Sequence, residues 1–291
     1  MRGWPRRRLA AAFVALCAFA GAPAQSAVPS PFEAVGPFTP GGLVRVTLPP
    51  GTTDLRLNGA AVPEAGPRTF LLGFGRDETG PARLSARGPD GTLLLRAFPL
   101  VPRSYRVQRL PALGTTDTPS PQWLRQREAE LAKVVEAKRV AATRRADSSG
   151  WQGPFVRPVD GRVTGVYGSQ RIYGGLPRSP HWGLDLAAPT GTPVRAPAPG
   201  IVRLADGPYL IEGNFVLLDH GAGLTSIYIH LDRIAVKAGD RVAGGDIIGT
   251  VGTTGRSTGP HLHWGLSLLL PPESTAAPTE IRLDPALLLG N

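Results

Sequence analysis

Between residues 28 and 110, apolar and polar positions alternate over short runs: "LVRVTL", "DLRLNG", "RTFLLGF", "ARLSAR", "TLLLRAF" and "SYRVQRL". Successive side chains on a strand point to opposite faces, so such alternation marks half-buried antiparallel strands. "NG" and "PDG" between the runs are turn signals. The pattern predicts a small β-sandwich module. It holds no histidine and no cluster of catalytic residue types, which leaves it a binding, regulatory or purely structural part.

Residues 111–120, "PALGTTDTPS", have the composition of a linker. Residues 121–146 are rich in helix formers and free of internal glycine and proline. Ser120 suits an N-cap, Pro121 a first helical position, and Arg144 and Arg145 the C-terminal end. Trp123, Leu124, Leu131, Val134, Val135 and Ala142 form a loose apolar stripe, predicting a connecting helix packed on one domain. From Trp151 the text returns to short β segments punctuated by Gly and Pro, among them "GRVTGVYG", "HWGLDLAA", "NFVLLDHG", "LTSIYIHL" and "HLHWGLSLLL". Residues 151–291 therefore read as an all-β domain, with "PPESTAAPTE" as a loop and "IRLDPALLLGN" as a packed tail. The whole is mainly β: sandwich module, linker helix and C-terminal β domain.

The first residues stand apart. "MRGWPRRR" is basic, and "LAAAFVALCAFAGA" is apolar but too short to span a bilayer with normal flanks. "APA" has the form of a signal-peptidase site, so residues 1–24 are expected to be a signal peptide cut after Ala24, leaving no stable membrane anchor. That implies export to the periplasm or cell envelope. Cys17, the one cysteine, lies within this segment, so the mature chain has no disulfide or thiolate, and any metal must be held by imidazole and carboxylate. Gly (37) and Pro (31) are abundant, yet a hydrophobic fraction of 42% argues for a turn-rich β protein over disorder. Net charge is +10; Arg2, Arg6, Arg7 and Arg8 leave with the signal, so the mature chain carries 10 − 4 = +6. This excess is spread out, which fits an anionic polymer such as cell wall and does not call for nucleic acid.

Four of the five histidines fall at three places in the C-terminal domain: His181 in "SPHWGLD", His230 in "IYIHL", and His261 with His263 in "GPHLHWG". On a strand, His261 and His263 share one face, roughly 6–7 Å apart, while Leu262 and Trp264 face a core. Asp185 sits in an apolar run, where a carboxylate needs a partner. A metal cation would serve, as would an arginine such as Arg171 or Arg195. Two neutral imidazoles and a carboxylate are the composition of a hydrolytic zinc site with one position open to water. Residues four apart on a straight strand lie roughly 13 Å apart, so the chain must bend between His181 and Asp185, with Gly183 the place for it.

The runs "HWGLD", "AAPTGTPVRAPAPGIV", "LLDHGAGLTSIYIHL" and "GDIIGTVGTTGRSTGPHLHWGL" together resemble the lysostaphin-type (LytM-like) zinc metallo-endopeptidases that cut peptidoglycan peptides. The resemblance runs from Gly161 to near Leu269, with His-x-x-x-Asp, Tyr-x-His-Leu and Gly-Pro-His-Leu-His in the family order. It implies zinc (Zn2+) held by His181, Asp185 and His263, with His261 and His230 as the catalytic pair. It also implies that His220, beside Asp219, is not a ligand, and both are expected to be structural. Tyr228 would share a strand face with His230 and orient it, touch substrate, or simply fill the core. Arg171, in "YGSQRIYGG", is a candidate for a peptide carboxylate or a plain surface arginine. A part of the chain also resembles biotinyl and lipoyl carrier domains, but no lysine sits at the required hairpin tip; Lys237 is in the turn before. The remaining alternative is a non-catalytic LytM-like wall binder or amidase activator. Such relatives are recognised by lost ligands or catalytic histidines, and here all five positions are filled. The expectation is an exported zinc endopeptidase acting on peptidoglycan cross-links.

Overall fold

The strand alternation of the N-terminal segment sorts its side chains into two faces. Leu43–Thr47 buries Val44 and Val46 and exposes Arg45 between them, and Ala82–Arg87 buries Ala82, Leu84 and Ala86. The computed structural model describes residues 30–110, 119–272 and 277–289; the expected signal peptide and most of the 111–120 linker lie outside them. Residues from Pro31 onward form one compact unit.

Two four-stranded antiparallel sheets make up the first module. One runs Glu33–Val35, Leu43–Thr47, Thr69–Gly73, Glu64–Gly66, and the other Ala60–Ala61, Thr53–Leu57, Ala82–Arg87, Leu93–Phe98. They enclose Val44, Val46, Leu55, Phe70, Leu72 and Leu84. The run "TFLLG" does not alternate, and the structure shows why: Phe70 and Leu72 face the sandwich, while Leu71 packs into the core of the C-terminal domain. A strand covered on both faces reads as a continuous apolar run. Gly73 lets the two parts approach, since a Cβ there would stand 3.1–3.3 Å from Ile281, Leu283 and Leu268. "SYRVQRL" departs from the expected sandwich. Its Val107–Leu110 pairs in parallel with Gln170–Tyr173 of the later domain.

The helix forms over Pro121–Thr143, with the Ser120 hydroxyl accepting from Trp123 N–H. Its buried side keeps only part of the predicted stripe. Ala142 is buried and Val134 half-buried against the sheet, but Leu124, Leu131 and Val135 are exposed, and Glu130, Ala137 and Ala141 are buried in their place. Alanines let the helix lie close to the sheet, where Ala137 meets Tyr209, Phe215 and Ile229, and Ala141 and Ala142 meet Leu269. No helix among the described residues is long and apolar enough to cross a membrane.

The C-terminal domain is built on a 10-stranded antiparallel sheet. Its central path runs Arg162–Gly165, Gly183–Ala187, His261–Leu270, Leu224–Ile234, Gly213–Asp219, Gly200–Tyr209. Leu184, Leu186, Val216, Tyr228, Leu262 and Trp264 bury one face in a common core. The opposite face carries the helix over its middle strands, through Phe215, Leu217 and Ile229. The C-terminal tail is itself a strand, Thr279–Leu283, on the edge of His261–Leu270, so the expected loop ends two residues before "IRLD". Arg45 ties the module to this domain by donating to the carbonyls of Trp151 and Gln152. Arg103 does so through a 2.7 Å ion pair with Asp284.

His220 and Asp219 hold the interior together, as expected of structural residues. Asp219, fully buried, pairs with Arg203 and accepts from Gly221 N–H. His220 faces the Pro199 carbonyl at 2.8 Å through Nδ1, which must therefore carry the proton. Its Nε2 then accepts from the Ser226 hydroxyl at 2.7 Å, and Ser226 in turn accepts from Tyr228. Every member of this buried chain is satisfied only while the imidazole is neutral, and burial pushes the His220 pKa down from 6.5 to about 4. The unfolded chain therefore takes up this proton first as pH falls. The stabilisation is whole above pH 6.5 and drains by about 1.4 kcal/mol per pH unit toward pH 4, about 3 kcal/mol in all. Urea denaturation between pH 7 and 4 should show a slope shallower by about 1.4 kcal/mol per pH unit in His220→Gln than in the wild type; equal slopes would refute the assignment.

Candidate metal centre and active site

Register assembles the site. Gly183–Ala187 and His261–Leu270 pair so that Asp185 stands opposite His263 and Ala187 opposite His261. Opposed residues share a face, here the one turned away from the apolar core. The Arg162–Gly165 strand flanks the other side, with Gly165 opposite Asp185. His181 lies two residues before its strand, in a turn held by Gly168 N–H to the His181 carbonyl and His181 N–H to the Ser169 carbonyl, both 2.8 Å. His181 thus stands off the straight strand rather than four residues along it. What Gly183 provides is room, because a Cβ there would stand 2.7 Å from His263 Nε2 and 2.5 Å from the Trp264 carbonyl. Gly165 is likewise required, since its Cβ would run into the Asp185 carboxylate and lie 3.1 Å from His181 Cε1.

Three donor atoms converge in the space so kept. His181 Nε2 and Asp185 Oδ1 are 3.0 Å apart, His263 Nδ1 and Asp185 Oδ1 2.8 Å, and the two imidazole nitrogens 3.0 Å. A tetrahedral ion with bonds of 2.0–2.1 Å separates its ligands by roughly 3.3 Å, so the triangle has the right size for zinc. His181 presents the correct tautomer, because its Nδ1 faces the Val166 carbonyl at 3.0 Å and must carry the proton. Asp185 finds its partners in imidazoles rather than in Arg171 or Arg195. Burial works against its charge, but the close contacts with the His181 and His263 imidazoles prevail and hold the carboxyl well below the usual range. Burial lowers the His263 pKa; in His181 it is outweighed by Asp185, which leaves that ring raised. This is the one group of three or more potential ligands that converges among the described residues.

His261 and His230 stand beside the triangle, their rings 4.9 Å apart. His261 Nδ1 faces the Gly259 carbonyl at 2.8 Å, and its Nε2 lies 4.0 Å from Asp185 Oδ1. His230 Nδ1 faces the Thr254 carbonyl at 2.9 Å. In both rings the carbonyl fixes the proton on Nδ1 and leaves Nε2 unprotonated in the neutral form. Burial, at 7% exposure, brings the His230 pKa down to about 4, so it is neutral at neutral pH.

The structure separates Tyr228 from this group. Strict alternation would place Tyr228 and His230 on one face, yet Tyr228 is fully buried in the core, its hydroxyl on Ser226. The strand breaks its alternation because His230 has φ +65°, a left-handed conformation that turns its ring to the metal face. Tyr228 is therefore no substrate contact. Arg171 is exposed on the Gln170–Tyr173 strand, near enough for its charge to act on His181. Sequence reasoning missed Gly165 and the carbonyls of Val166, Thr254 and Gly259. Backbone carbonyls leave no mark in a sequence, and only the glycine framing of "VTGVYG" hints at the first.

Residues 179–271 match the peptidase family M23 model. A crystal structure of a Pseudomonas aeruginosa protein assigned to peptidase M23 is 31% identical, with a TM-score of 0.58, and the match covers 87% of this chain and 95% of that one. The chain belongs to peptidase family M23. Among curated relatives, the M23 chain is similar to the peptidoglycan DD-endopeptidase ShyA of Vibrio cholerae, 42% identical over 113 residues, which are 38% of this chain and 26% of ShyA. It is also similar to the DD-carboxypeptidase/endopeptidase Mpg of Neisseria meningitidis, 45% identical over 104 residues, 34% of this chain and 23% of Mpg. The matched region spans about a quarter of the length of these relatives.

The geometry makes a metal-binding prediction for this M23 chain. Gly183→Ala is expected to weaken zinc binding at least about tenfold in competition with a chromophoric chelator, because the added methyl displaces His263. Gly153→Ala, whose Cβ would meet nothing within 4 Å, should bind zinc like the wild type.

Proposed function

We propose that this chain is an exported zinc endopeptidase that hydrolyses peptide cross-links of peptidoglycan. The observation that carries the reading is the shared face on which a ligand triangle of zinc dimensions meets two imidazoles, each held at Nδ1 by a backbone carbonyl. Amide hydrolysis needs a water nucleophile, a base for its proton and a positive centre for the developing oxyanion. His181, Asp185 and His263 would hold the zinc, which when bound would serve as the electrophilic centre, lowering the pKa of water and polarising an amide carbonyl. His230 and His261 do the rest. Each is anchored at Nδ1 by a backbone carbonyl, which leaves Nε2 to accept a proton and pass it on.

The substrate rests on other support. Relatives named as DD-endopeptidases favour a DD cross-link over a glycine bridge. A mature charge of +6 suits an anionic wall, and exposed Arg171 is available to a peptide carboxylate. Residues 1–24 support export to the periplasm or envelope. A non-catalytic binder or amidase activator would not need His230 and His261 arranged beside an intact ligand triangle.

Mass spectrometry of purified sacculi digested with zinc-loaded protein tests the reading. New free amines at cross-links are expected, falling about 10²- to 10⁴-fold in His261→Ala while zinc stoichiometry stays the same. Cross-links left intact by zinc-loaded protein would instead favour the binder or activator.

A further inference from the structure

His230 holds a left-handed backbone conformation, φ +65°, that non-glycine residues avoid. Such a residue persists only where its surroundings dictate it. Two hydrogen bonds do so: its N–H donates to the Glu212 carbonyl at 2.8 Å, and its Nδ1–H to the Thr254 carbonyl at 2.9 Å. These carbonyls belong to two loops that clasp each other. Arg256 N–H donates to the Ile211 carbonyl at 2.8 Å, and Asn214 N–H to the Thr254 hydroxyl at 2.9 Å. Gly213 and Gly255 make the clasp possible, since a Cβ on either would collide with the backbone of the other loop.

The clasp is itself gripped from outside. Arg127 of the helix places both guanidinium nitrogens on the Glu212 carboxylate, at 2.5 and 2.7 Å, in a fork that fixes orientation as well as distance. Glu130, one helical turn on and 6% exposed, accepts the Leu210 N–H at 3.0 Å and also pairs with Arg127 at 3.3 Å. Two helical side chains thus hold the 210–212 turn whose carbonyl holds His230. The helix lies outside residues 179–271, the stretch that matches the family model.

We infer that Arg127 and Glu130 are positioning residues for His230, so that the helix between the two domains is a working part of the active site. The inference rests on the hydrolytic role given to His230 above. Neither side chain touches the reacting atoms; their effect passes through the Glu212 turn.

The experiment is a double-mutant cycle on the full chain, with zinc content and thermal melting checked for every variant. Arg127→Ala is expected to lower kcat about ten- to a hundredfold with KM and zinc stoichiometry unchanged. Added to His230→Ala, it should cost nothing further. Glu130→Ala, which removes the acceptor for Leu210 N–H, should lower kcat in the same way, and Glu130→Gln, which keeps an acceptor there, should recover most of that loss; Glu130→Ala at wild-type kcat would overturn the role given to Glu130. Arg127→Lys, which keeps the charge but cannot form the fork, should fall between Arg127→Ala and wild type, and decides the matter if the alanine variant does not fold. An equal loss of kcat with and without His230, or a rise in KM alone, would overturn the inference. A second readout does not depend on hydrolysis: solvent exchange of the His230 Nδ1–H, followed by NMR of protein labelled at histidine nitrogen. Exchange should quicken in Arg127→Ala while the His220 Nδ1–H is unaffected, and an unchanged His230 signal would overturn the inference. If wild-type protein cuts no cross-link, the hydrolytic reading fails by itself, and the exchange rate still reports on positioning.

Discussion

The pairing of Asp185 with His263 across two antiparallel strands is the constraint on which the site depends. A sheet has a side-chain period of two, so a slip of one residue would carry His261, His263 and Asp185 to the core face and bring Leu262 and Leu184 out. The apolar residues between these polar ones therefore do as much for the site as the polar residues themselves. Leu184, Leu186, Leu262 and Trp264 are buried together, and their burial sets the register that gathers the polar atoms opposite. The flanking glycines, Gly165 and Gly183, then keep the space that the register creates free of side chains.

Electrostatic preorganisation follows from the same sheet. His181, His230 and His261 each face a backbone carbonyl with Nδ1, and a carbonyl only accepts. The proton positions are thereby set by main-chain geometry before any metal or substrate arrives, which spares reorganisation during reaction. His220 uses the same device in the core, where neutral imidazole joins the Pro199 carbonyl to Ser226 and Tyr228. Identical chemistry thus serves stability on one face of the sheet and the site on the other.

The parts outside the matched family region are not loosely attached. The N-terminal sandwich inserts Leu71 into the C-terminal core and anchors Arg45 on the Trp151 and Gln152 carbonyls. Beyond the sandwich, Val107–Leu110 pairs in parallel with Gln170–Tyr173 of the C-terminal domain. The helix packs against the sheet through alanines. Longer side chains would have lifted it away from the sheet and from Glu212.

Much of this was legible in the chain itself. Period-two alternation marks the strands because half-buried sheets impose it, and helix formers between Ser120 and Thr143 mark the helix because their spacing lacks glycine and proline. A chain whose one cysteine is Cys17 leaves imidazoles and carboxylates as the groups that could hold a metal, and the family resemblance implied which of them would. Tertiary structure decided what depends on single torsions and on partners distant in sequence. Tyr228 and His230 read as one face until the left-handed φ of His230 parts them, and φ is not written in residue type when the residue is not glycine. The buried side of the helix keeps Ala142 and Val134 of its apolar stripe but not the leucines, because small alanines are what close approach to the sheet needs. The carbonyls that fix each tautomer belong to every residue alike, so only the fold could select which of them do so.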